Sequence, residues 1–129
     1  MKQPPAIQAD PIPGPAFDPM DLIVQDLQNV ETFLLALSDN FDDADFLNTH
    51  LPPILGMRRT ISHQLDKLAD EPYSYPASRL QKLHAQNENL FIYVEGAAGE
   101  VMAKDAKKFQ KALNAALDAL TQFDDALTP

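Results

Sequence analysis

The chain has 129 residues, 45% of them hydrophobic and 22% charged, which suffices for one domain with a real core and no help from metals or disulfides. It has no cysteine, so zinc ribbons, disulfide frameworks and thiol catalysis are excluded. The formal charge of −9 is unevenly placed, with nine acids and only Lys2 as a base in residues 1–50, which argues against nucleic acid, whose phosphates need clustered Lys and Arg.

Residues 1–17 contain five prolines and little apolar periodicity, and they predict an extended tail. Met1 to Gly14 has one lysine and no apolar run, so no secretory signal is expected. No stretch reaches the roughly 20 apolar residues that span a bilayer. A soluble, cytoplasmic protein without membrane contact is the expectation.

From residue 18 onward the pattern is helical. Asp18-Pro19 opens a first helix, with Asp18 as its cap, Pro19 at the first helical position and Asp21 favouring the positive end of the dipole. Met20, Ile23, Leu27, Val30, Leu34, Leu37 and Phe41 follow at three-four spacing, and Asn40 is the expected terminator. Asp42, Asp43 and Asp45 then supply capping acids for a short turn through Phe46, Leu47 and His50. Leu51-Pro52-Pro53 is expected to break it, because a proline pushes the residue before it out of the helical region. A second long helix should run from about Pro52 to Ala69, with Ile54, Ile61, Leu65 and Leu68 inward. The segment from Glu71 to Pro76 reads as a loop.

The longest proline-free stretch, Ala77 to Thr128, carries apolar residues at Leu80, Leu83, Leu90, Val94, Ala97 and Val101, with Asn87 at the missing step. The stripe resumes in a new phase from Met102 through Ala106, Phe109, Leu113, Ala116, Leu120, Phe123 and Leu127. One unbroken helix would be roughly 75 Å long, at about 1.5 Å per residue. A turn between Gly96 and Asp105 instead gives four helices of comparable length, with Gly96 or Gly99 ending the third and Asp105 capping the fourth. The expected fold is an all-α, up-down bundle of about four helices over residues 18–129, a long continuous C-terminal helix being the alternative.

Two helices are more apolar than one core needs. Phe33, Val24 and Leu35 broaden the stripe of the first, and Leu90-Phe91-Ile92-Tyr93-Val94 points in all directions on the third. Phe33, Leu35, Phe91 and Ile92 are therefore candidates for a protein interface or a homodimer, unless the 43–50 segment or the tail covers them. In the last helix Ala112, Ala115, Ala119 and Ala126 line one flank. Its Lys107, Lys108 and Lys111 sit at the unfavourable end of the dipole and hint at pairing with Asp42, Asp43 and Asp45.

One constellation could carry chemistry. Arg58-Arg59-Thr60-Ile61-Ser62-His63-Gln64-Leu65 places His63 outward, with Arg59 and Lys67 four residues to either side on its face. An exposed imidazole flanked by cations suits a phosphoryl acceptor. The Ser-His-x-Leu string resembles part of the phosphoacceptor box of sensor histidine kinases over these few residues. Gln64 stands where an acid usually follows, the usual proline is absent, and no ATP-binding domain or Lys-Gly pair follows. His84 and Glu88 have a metal-ligand spacing, but no Glu-x-x-His pair exists. Asp39, Asp42, Asp43 and Asp45 lack the glycine and glutamate of an EF-hand. No phosphate loop or Gly-x-Ser-x-Gly elbow occurs, nor a serine with an obvious histidine-acid pair.

These features favour a non-enzymatic helical protein-binding module, an acidic adaptor, secretion chaperone or inhibitor, with no cofactor or metal. Its acidic half permits a basic protein partner. The rival readings are histidine phosphotransfer through His63 and an immunity-type inhibitor that plugs a basic site with residues 39–45.

Overall fold

The computed structural model describes residues 18–128; the expected proline-rich tail, 1–17, lies outside them. Four helices and no strand make up the described chain: α1 (Pro19–Asp39), α2 (Ala44–Lys67), α3 (Ala77–Ala103) and α4 (Ala106–Leu127). Each packs on its neighbours in the ring α1–α2–α3–α4–α1, and α1 also touches α3 across the centre. Short connections between antiparallel helices give the up-down bundle that the sequence predicts.

The start and end of α1 are set locally. Asp18 Oδ1 accepts from the Met20 amide at 2.9 Å, and Asn40 closes the helix with its side-chain amide donating to the Ala36 carbonyl at 2.8 Å. Ile23, Leu27, Val30, Leu34 and Leu37 are buried as the spacing requires. They join Ile54, Ile61, Leu65 and Leu68 of the second segment, and Phe109, Leu113, Leu120 and Phe123 of the last, in one core cluster.

The predicted break at Leu51-Pro52-Pro53 does not occur. α2 runs unbroken from Ala44, capped by Asp43 Oδ1 on the Phe46 amide at 3.0 Å, and both prolines lie inside it. An interior proline usually costs about 3 kcal/mol through the lost hydrogen bond and the ring clash. Here both prolines are solvent-exposed, so water can reach the carbonyls of Asn48 and Thr49 that they leave without donors. Leu47 and Ile54, seven residues apart, are both buried and hold the two halves in one helical phase. Packing overrides the local preference.

The break between the third and fourth helices is real, but neither glycine makes it. Gly96 and Gly99 lie within α3, which continues to Ala103 because Ala97, Ala98 and Val101 are all buried. Lys104 takes the left-handed conformation with φ 57°. Its amide donates to the Val101 carbonyl, and that of Asp105 to Glu100, which is the bonding of a Schellman turn. Asp105 then caps α4 through the Lys108 amide at 3.0 Å, as expected. A left-handed conformation costs a non-glycine residue roughly 1–2 kcal/mol. Lys104→Gly should therefore raise stability by about 1 kcal/mol in urea unfolding, offset slightly by added chain entropy.

The loop after α2 binds both ends of the bundle that meet there. The Tyr75 hydroxyl donates to the Leu127 carbonyl at 2.7 Å, and Arg79, stacked 4.1 Å over the Tyr75 ring, donates to the carbonyls of Ala126 and Thr128. These contacts satisfy carbonyls that the end of α4 would otherwise leave open. The Tyr73 hydroxyl donates to Asp18, which pushes its pKa up to about 12.

Candidate functional site

The broad apolar faces resolve into core, groove and surface. Phe91 is 1% exposed and belongs to the core, so it offers no interface. Phe33 is 5% exposed: the Phe46 ring stacks on it with centroids 6.1 Å apart, so the start of α2 covers it. Periodicity alone makes both of them interface candidates. A single helical wheel cannot show which neighbour lies alongside. Leu35 at 54% and Ile92 at 61% are exposed, as the sequence suggests, but they sit on α1 and α3, which meet only through the centre of the bundle.

Covering Phe33 leaves a groove between α1 and α2 of about 330 Å³. Asn29, Thr32, Phe33 and Ala36 form one wall, and Phe46, His50, Pro53, Ile54 and Met57 form the other. Its lining is mainly apolar, and the His50 ring lies 4.6 Å from Phe46. The unbroken α2 creates it. With a break at Pro52, Phe46 and Met57 would not share one face. Asp26 lies one turn from Asn29 along α1, half-buried, and burial raises its carboxyl pKa above the ordinary 3.8. The folded chain thus binds more protons there than the unfolded chain, so Asp26 favours the fold in acid and opposes it as pH rises through the folded pKa. Asp26→Asn should raise neutral-pH stability slightly, and the gain should vanish below pH 3.8. Urea midpoints at both pH values would check this.

The opposite side of α2 carries a polar ladder against α3. Arg58 pairs with Glu88 at 3.0 Å, and Asn87, fully buried, donates to the Arg58 carbonyl at 3.0 Å. Four residues further along α2, Ser62 Oγ lies 3.3 Å from His84 Nδ1, and Asp66 Oδ1 lies 2.9 Å from His84 Nε2. Spacing along the chain does not reveal this serine-histidine-acid set, because it needs the antiparallel register of two helices. An imidazole between a hydroxyl and a carboxylate can activate a nucleophile. Ser62 lies in the interior of α2, and the Asp66 side chain is 72% exposed. The three side chains join α2 to α3. His84 and Glu88 face separate partners and do not converge on a common ion. Among the described residues, no three His, Asp or Glu side chains gather as a metal site.

His63 is exposed, as are Arg59 and Lys67 on its face. Asp43 caps α2 and Asp45 lies in its first turn, while Asp42 sits exposed in the loop before them. Among the described residues Arg58 is the only lysine or arginine paired with an acid, on Glu88, so Lys107, Lys108 and Lys111 do not answer those acids. Exposed pairs contribute too little to dictate this junction. Phe41 holds it instead, packed on Phe109 of α4 with centroids 5.2 Å apart. Ala115 and Ala119 form the floor of a separate, more polar groove beside Gln86, Asn89 and Tyr93 of α3. Among the described residues, no helix is long and apolar enough to cross a membrane. The chain matches no protein-family model, no curated protein and no solved structure.

Proposed function

We propose that the protein is a non-enzymatic helical binding module that docks a protein partner in the α1/α2 groove. The observation that carries this reading is the apolar groove itself, with Phe33 and Ile54 beneath Phe46, Pro53 and Met57. Such a furrow between two helices suits an apolar helical face laid along it. An acidic adaptor, a secretion chaperone or an inhibitor would all use it in this way. The test is capture from native lysate by the wild type and by Thr32→Trp, which fills the groove from an exposed position on α1. A partner identified by mass spectrometry should be lost from Thr32→Trp and retained by His63→Ala. Equal capture by all three chains would end this reading.

Phosphotransfer through His63 is the second reading, favoured by the exposure of the imidazole between Arg59 and Lys67. It requires acid-labile phosphate on His63 after incubation with acetyl phosphate. The inhibitor version with Asp42, Asp43 and Asp45 in a basic site requires binding that weakens steeply with salt.

A further inference from the structure

We infer that the occupant of the α1/α2 groove is a basic amphipathic helix, an inference that rests on the protein-binding reading and specifies the partner's chemistry. Charge is the first argument. Residues 18–67, which hold the two helices that wall the groove, carry nine acids against Arg58, Arg59 and Lys67, and Arg58 is already paired with Glu88. Asp26 lies one turn beyond the groove at one end, and Asp39 and Asp42 lie beyond Ala36 at the other. Along the α1 wall the apolar lining therefore has negative charge beyond each end, while Arg58 and Arg59 follow Met57 at the end of the α2 wall. Such a field attracts cations and repels acidic segments.

The dimensions suit a helix. At about 1.5 Å per residue the walls run roughly 10 Å along α1, from Asn29 to Ala36, and roughly 16 Å along α2, from Phe46 to Met57. This is two to three turns, the span of apolar anchors at about i, i+4 and i+7.

Titration of the full chain with two synthetic peptides tests the inference. One has leucines at three-four spacing with lysine elsewhere, and the other has glutamate in place of lysine. The lysine peptide should bind, and the glutamate peptide should bind at least about tenfold more weakly. Thr32→Trp, or Asn29→Trp should the first lose helical signal, should weaken the lysine peptide at least about tenfold. Replacing Asp26, Asp39 and Asp42 together by Asn should do the same, whereas replacing Asp118, Asp124 and Asp125 of α4 should change it less than about threefold. Two results would overturn the inference: lysine-peptide binding indifferent to groove filling, which means adsorption to acidic surface elsewhere, and equal or absent binding of both peptides. In the second case, a lysate partner still lost from Thr32→Trp would leave the docking reading standing and remove only the basic helix.

Discussion

Phe91→Ala should lower stability by about 3–5 kcal/mol, and Phe91→Asp should abolish the fold, while Ile92→Asp, one residue along, should leave the melting point nearly unchanged. Phe91 is among the largest fully buried side chains, and it packs in the same cluster as Leu34, Leu65 and Phe123. Truncating a buried aromatic loses its transfer free energy and leaves a cavity that the surrounding helices fill only partly. A domain of this kind is held together by roughly 5–15 kcal/mol, so the alanine variant stands near the edge of folding. An aspartate at the same position adds the cost of burying a carboxylate without a partner. Ile92 points into solvent at 61% exposure, and its replacement removes little buried area. Thermal unfolding followed by circular dichroism would separate the variants. Similar melting points for Phe91→Ala and wild type would mean that α3 is rotated from the phase described.

Arg79→Ala and Tyr75→Phe should each destabilise the bundle, and together they should cost about 2–4 kcal/mol. The Arg79 guanidinium holds the carbonyls of Ala126 and Thr128, and the Tyr75 hydroxyl holds that of Leu127, so the pair closes the last turn of α4 onto the start of α3. A charged donor on a carbonyl contributes about 1.5–3 kcal/mol and a neutral one about 0.5–1.5 kcal/mol, with water recovering part of the exposed contacts. Arg79 also covers the Tyr75 ring, so its loss removes packing as well as charge. The local signature should be faster amide exchange at residues 123–128 with little change in α1. Uniform loss of protection through all four helices would show instead that the clamp stabilises the whole fold cooperatively. No change at either site would mean that the end of α4 is held by other contacts.

Much of the architecture was legible in the chain because it rests on local rules. Asp18 before Pro19, and Asp105 before the second phase of the C-terminal stripe, are capping signals that act within three residues, and both cap as read. The three-four repeats of α1 and α4 assign Leu27 and Leu120 to the core, where both are buried. Asn87 was visible as a polar residue in an apolar stripe, though its partner, the Arg58 carbonyl, lies on another helix. The same local rules erred at Pro52-Pro53 and at Gly96 and Gly99. There they state what a short segment prefers alone, and core contacts at Leu47, Ile54 and Val101 outweighed that preference.

The sequence by itself determined four amphipathic segments, three of their side-chain caps and the one-sided acidity of the first half, because each depends on residues a few positions apart or on composition. The tertiary structure alone decided that Phe46 would cover Phe33, that a groove would open beside them, and that Ser62 and Asp66 would meet His84. Those outcomes depend on the register and rotation of neighbouring antiparallel helices. A helical wheel gives each face its polarity, but only packing selects which face it meets.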